Sequence, residues 1–125
     1  IPSEIEWEQL VSNVKRARTS QSSMEKQNSE IAAVLAGRKE LWKDGDLKNS
    51  DSFALSGFDI LPAGYRQSHT GNFPYINEAA FFWSSTESSR RQELAIHYSL
   101  YYGGTDFSSN ENYKGAGYSV RCIKN

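Results

Sequence analysis

Three short blocks constrain this chain more than anything else in it. They are Gly57-Phe58-Asp59-Ile60-Leu61-Pro62-Ala63-Gly64-Tyr65-Arg66, Phe82-Trp83-Ser84-Ser85-Thr86-Glu87 and Gly117-Tyr118-Ser119-Val120-Arg121-Cys122. Each sets large rings or β-branched residues between glycine and serine punctuation, the pattern of short strands bounded by turns. From Phe53 onward such runs alternate with polar clusters, which predicts strands near 53–60, 80–86, 94–101 and 117–123. Within 94–101 the alternation is clean: Leu94, Ile96, Tyr98 and Leu100 face one way, Ala95, His97, Ser99 and Tyr101 the other. Pro62, Gly64 and Gly71 break the first run into loop, and Phe73-Pro74 is a place where a cis peptide would fit. Residues 103–116 form the longest polar stretch and read as a loop. Loops of that length tend to be functional or mobile.

Before Phe53 the period is helical. Ser3 and Glu6 make a capping box, and Trp7, Leu10, Val11 and Val14 follow at the spacing of one buried stripe. This predicts a helix over 4–16, ending in the Lys15/Arg16/Arg18 cluster that suits the negative end of a helix dipole. Residues 18–24 read as a loop. Ser22 and Glu25 make a second capping box, and Ile31, Val34 and Leu35 a weaker stripe, so a second helix is expected over 24–36 with Gly37 as a left-handed C-cap. Lys43-Asp44-Gly45-Asp46 marks a turn, with Leu41 and Trp42 as local anchors. Helices first and strands later give an α+β fold class, and 125 residues without a dividing linker make one domain.

Composition narrows function mainly by exclusion. A net charge of -1 provides no electrostatic footprint for nucleic acid or an anionic membrane. No apolar run reaches the length needed to cross a bilayer. The opening on Ile1-Pro2, without Met or signal peptide, reads as a trimmed domain or processed product. A single cysteine, Cys122, excludes an internal disulfide and a cysteine-based metal cluster. Aromatics are 13% of the chain against a hydrophobic total of 38%, so the core must rest on rings.

Taken together, Ile-Pro-Ser-x-x-Glu-Trp-x-x-Leu, GFDILPAGYR, FFWSSTE and GYSVRCIKN resemble the Fibrobacter succinogenes major paralogous domain family, over nearly the whole chain. The resemblance implies a C-type-lectin-like, formylglycine-generating-enzyme-like fold: two N-terminal helices, then a small, mostly antiparallel, loop-rich sheet. It also implies an exported setting, in a secreted protein or outer-membrane lipoprotein of Bacteroidetes or Fibrobacteres. Members usually carry an early strand and a cysteine-containing segment ahead of the first helix. By that pattern the 117–123 strand is left with an open edge, and a partner for Cys122 lies upstream of Ile1. Residues 17–37 are also longer and more helical than the usual pattern.

The chemistry is weighed residue by residue. Formylglycine-generating enzymes use paired cysteines, whereas Cys122 is alone and reads as a buried thiol or half of a disulfide, so no catalytic residue is assigned. His69 and His97 show no metal-ligand spacing and read as solvated surface histidines. Asp106, Asn110, Glu111 and Asn112 offer oxygen ligands hard enough for calcium, with Asp106, Asn110 and Asn112 as weak candidates, but no lectin-type Glu-Pro-Asn, Gln-Pro-Asp or Trp-Asn-Asp triplet accompanies them. Trp7 and Trp83 read as core. Tyr101, Tyr102 and Tyr113 flank the polar stretch, and with Asp106, Asn110 and Asn112 they form the candidate ligand-binding set. Arg66, Glu87 and Arg121 border the three blocks and suggest an ion-paired network tying the loops together. The expected function is a non-catalytic surface binding or adhesion module for a glycan or protein. A structural spacer within a larger surface lipoprotein, or an oxidase-type enzyme related to formylglycine generation, are the alternatives.

Overall fold

The computed structural model describes residues 1–18 and 30–124, Arg18 by its main chain only. The capping box forms as the sequence dictates. The Ser3 amide donates to Glu6 Oε2 at 2.7 Å, and the Glu6 amide donates to Ser3 Oγ at 3.3 Å. Helix α1 runs from there, Glu4–Arg18, and buries Trp7, Val11 and Val14. Two long-range bonds fix its approach to the sheet: the Glu4 amide donates to Thr86 Oγ1 at 2.9 Å, and the Tyr98 hydroxyl to Glu8 Oε1 at 2.6 Å.

The expected second helix is much shorter where it can be described. Positions 24–29, with the Ser22/Glu25 capping box and most of the 18–24 loop, lie outside the described residues, and α2 is Ile31–Leu35. All five of its residues are buried. A buried helix end needs partners for its carbonyls, and residues 54–60 supply them. The amides of Ala54, Ser56 and Ile60 donate to the carbonyls of Ala33, Val34 and Leu35 at 2.9, 3.2 and 3.0 Å. A 3₁₀ turn, Lys39–Leu41, and a single helical turn, α3, Asp46–Asn49, follow. Among the described residues the expected architecture of two N-terminal helices is therefore corrected to one long helix and several short turns.

That hydrogen-bond duty also explains why 53–60 is no strand. Ala54, Gly57 and Asp59 all take left-handed backbone, which breaks the extended geometry a ladder needs. Only Ile60 bridges, in parallel, to Ala36. Gly37 does not cap in left-handed geometry either; Arg38 takes that conformation, at φ 56°. Glycine is required at 37 for closeness, since a Cβ there would lie 2.6 Å from the Asp59 Cα. The Phe73–Pro74 peptide is trans.

The sheet is antiparallel with order β1-β2-β3: β1 is Ala79–Glu87, β2 Leu94–Tyr101 and β3 Ser108–Tyr113. The first two match the expected 80–86 and 94–101. The third occupies the stretch expected to be loop. Its register places Asn110 opposite His97 and Asn112 opposite Ala95. β3 is an edge, and its amides are partly filled from within: those of Glu111 and Tyr113 donate to the side-chain oxygens of Asn110 and Asn112, both at 2.8 Å. Edge strands that remain soluble use such devices against unwanted pairing.

On the opposite side, β1 is covered in pieces. Gly64 donates to the Ala79 carbonyl, Ser119 exchanges bonds with Phe81 and Trp83, and the Ser85 amide donates to the Pro2 carbonyl. The expected 117–123 strand thus reduces to isolated bridges at Gly117 and Ser119. Beyond Ser119 the chain turns to α1, where the Arg121 guanidinium donates to the Phe58 carbonyl at 2.8 Å and lies over the Phe58 ring.

Leu100, Tyr98 and Phe82 from one sheet face join Trp7, Val11, the α2 residues, Trp42, Leu47 and Ile60 in the core. Trp7 is 1% exposed and meets four rings, those of Phe58, Phe82, Tyr98 and Phe107. Trp7→Ala is expected to cost about 3–5 kcal/mol in denaturant unfolding. Trp7→Phe should cost clearly less, because the indole N–H has no partner among the described residues to lose. A second expectation runs the other way. Ala54 holds φ 64°, so Ala54→Gly should stabilise by up to about 1 kcal/mol, read as a rise in thermal midpoint.

Candidate functional site

The other face of the sheet is also covered, and by a different chemistry. Register alone aligns Phe81 with Ser99 and Ser108, and Trp83 with His97 and Asn110. Over these rows lies Tyr118. Its ring centre is 4.5 Å from that of Trp83, 4.8 Å from His97 and 5.1 Å from Phe81. Asn112 Nδ2 donates to the Tyr118 hydroxyl at 2.5 Å, and Trp83 Nε1 to the Ala116 carbonyl at 3.2 Å. These two bonds tie the segment after β3 down onto the face. Burial raises the pKa of Tyr118 above the ordinary tyrosine value.

The outer end of the face is built by the loop after Gly64. Tyr75 stacks on Tyr65 at 6.1 Å and 17°, and stands edge-on to Tyr101 at 6.1 Å and 86°. Phe81 lies beneath all three, buried. Tyr75 and Tyr101 are 45% and 44% exposed, so each residue is open to solvent in part. The loop is held tightly. The Tyr75 carbonyl accepts from both Glu78 and Ala79 at 3.0 Å, and the Asn77 amide donates to the Pro62 carbonyl at 2.9 Å. Gly64 takes φ 63°, and a Cβ on it would lie 2.3 Å from the Pro74 carbonyl oxygen. Tyr75 itself holds φ 65°, a rare conformation for a bulky side chain, and such strain concentrates at functional positions.

The expected site residues divide. Tyr101, Asn110 and Asn112 share this face. Tyr102 does not: it packs against the core, with Lys43 Nζ 4.7 Å above its ring. Asp106 is exposed ahead of β3, and Tyr113 ends that strand opposite Leu94, beside Arg91. Asn110 and Asn112 spend their side-chain oxygens on backbone amides, in a strand and not in the open loop that the calcium candidates presupposed. Among the described residues, no group of three or more His, Cys, Asp or Glu could hold a metal ion.

Arg66, Glu87 and Arg121 do not meet as a network. Glu87 pairs with Lys114, Arg121 binds the Phe58 and Asp59 carbonyls, and Arg66 bridges by its backbone to Gly117. Cys122 is exposed and not buried, at the rim of a cleft of about 350 Å³ between α1 and the C-terminal segment, lined by Trp7, Leu10, Phe58 and Ile123. Trp83, expected in the core, is half-buried on the aromatic face. Tyr65, Tyr75 and Tyr118 were missed as site residues; the nearest signal is the alternation that put His97 and Tyr101 on one side of β2.

His97 corrects its expectation most sharply. His69 is exposed, but His97 is 6% exposed, and its Nδ1 has no partner among the described residues. Burial lowers its pKa from 6.5 to about 4. A folded pKa below the unfolded one means that protons bind the unfolded chain more readily. The stabilisation is complete above pH 6.5 and drains as pH falls from 6.5 toward 4. Across that window the thermal midpoint of the wild type should fall more steeply than that of His97→Gln, by the slope of one proton; equal slopes would show that His97 is not held neutral.

No helix among the described residues is long and apolar enough to cross a membrane. No curated protein and no solved structure matches the chain. The model of the Fibrobacter succinogenes major domain matches residues 1–124, and the chain belongs to that family.

Proposed function

We propose that this is a non-catalytic binding or adhesion module of C-type-lectin-like fold, working in a secreted or cell-surface protein and engaging a glycan or protein through the aromatic face. The observation that supports it most is the outer end of that face. Tyr75, on a loop held by main-chain hydrogen bonds, and Tyr101, at the end of β2, meet there about half exposed, and Tyr75 sits in strained backbone. Rigid, amphipathic rings provide contact area at low entropic cost, which is why recognition surfaces favour tyrosine. A non-catalytic role is consistent with the buried His97, whose Nδ1 has no partner among the described residues, and the solitary Cys122. The exported setting comes from the family resemblance.

A structural spacer is the second reading. Cover on both sheet faces favours it, since a well-packed small domain serves as a rigid cap. The two separate on one comparison of variants in the parent protein. Ligand or cell-surface capture should fall about tenfold or more for Tyr101→Ala, and stay near wild type for Tyr113→Ala, which lies off the face. Capture indifferent to both, with surface display lost only on unfolding, would establish the spacer.

A further inference from the structure

We infer that the Tyr65, Tyr75 and Tyr101 platform is a stacking site for an uncharged sugar residue, and that it works without a metal ion. The inference rests on the binding-module reading and names the ligand class for the same face. One side of a pyranose ring presents C–H groups of slight positive character, which lie favourably on the negative face of an aromatic ring. The platform offers such rings half-open to solvent, with Tyr75 and Tyr101 at 86° to one another, so that one ring can carry a sugar and the other flank it. The hydroxyls of Tyr65 and Tyr75 make no hydrogen bond within the described residues and are available to a polyhydroxylated ligand.

Charge points the same way. Glu78, three residues after Tyr75, is turned to Lys43 at 3.2 Å, and Arg66 lies beside Gly71. The Glu78 carboxylate is thus already paired, and among the described residues no ion pair is recorded at the three rings.

A peptide fits less well on three counts. Strand addition would use the β3 edge, where the amides of Glu111 and Tyr113 already have side-chain acceptors. A proline-rich segment is held in aromatic grooves, where an indole N–H could serve a carbonyl; Trp83 Nε1 is committed to Ala116. Peptide anchors also need a pocket, and the cleft beside α1 is lined by other residues.

The backbone of Tyr75 makes the test clean. Glycine adopts φ 65° without strain, so Tyr75→Gly removes the ring while relieving the main chain. The purified domain would be titrated by calorimetry and surface capture with neutral oligosaccharides (β-1,4-glucan, mannan and N-acetylglucosamine oligomers). Sulfated glycans and a polyproline peptide would be run beside them, each with and without EDTA. The expected result is binding to at least one neutral oligosaccharide, unchanged by EDTA. It should weaken tenfold or more in Tyr75→Gly and Tyr101→Ala, with Tyr75→Gly retaining a cooperative melt and Tyr113→Ala binding like the wild type. Binding confined to the sulfated glycans or the peptide, yet lost in Tyr75→Gly, overturns the sugar assignment and leaves the binding module standing. So does neutral-sugar binding abolished by EDTA. If the Tyr75 and Tyr101 variants change neither this binding nor capture by the parent protein's surface, both readings fall together.

Discussion

The joint between the helical and strand halves of this protein is one indole. Trp7 leaves the first turn of α1 and reaches Phe82 on β1, Tyr98 on β2, Phe58 on the segment that closes α2, and Phe107 ahead of β3. It thus joins α1 to two strands and to two of the segments between elements. A chain with few aliphatic residues has no broad layer of leucine to hold its elements together, and it uses a ring at the crossing point instead. The capping box matters for the same reason: it fixes where the helix begins, and so where the indole lands.

With that joint in place, the sheet presents two unlike sides. Toward α1 its residues complete the hydrophobic core. Away from α1 it carries tyrosine, tryptophan, histidine and asparagine; Trp83 and Asn112 are hydrogen-bonded there, whereas His97 Nδ1 has no partner among the described residues. Toward Tyr118 the layer is closed, and toward Tyr75 it opens. The change from closed to open runs along the strands and coincides with the glycine-proline bend of GFDILPAGYR. That block therefore builds the platform's support, with Gly64 permitting the close approach and Tyr65 backing Tyr75.

Much of this was legible in the sequence, and the failures have a common physical cause. The capping box and the stripe of Trp7, Val11 and Val14 read correctly because both are local, and so did the alternation in 94–101. What could not be read depended on distant partners. Residues 53–60 look like a strand by composition, yet their amides serve the carbonyls of α2. Residues 108–113 look like a loop, yet β2 recruits them, and a polar edge strand carries no hydrophobic signature. His97 was assigned to the surface because alternation reveals which side a residue faces, not whether Tyr118 returns from far along the chain to cover it. The candidate site was half visible: Tyr101 and the asparagines lie on the aromatic face, whereas Tyr65 and Tyr75 join it only through the folding of the loop between them.

The asparagine side chains on β3 bear on how such a domain tolerates company. Where many copies stand close on one surface, the effective concentration of each for its neighbour rises toward the millimolar range. An edge with even feeble affinity for another edge would then be largely occupied, and a field of separate modules would knit into a continuous sheet. Asn110 and Asn112 satisfy two of those main-chain amides within the same strand. Crowding then need not join the domains edge to edge.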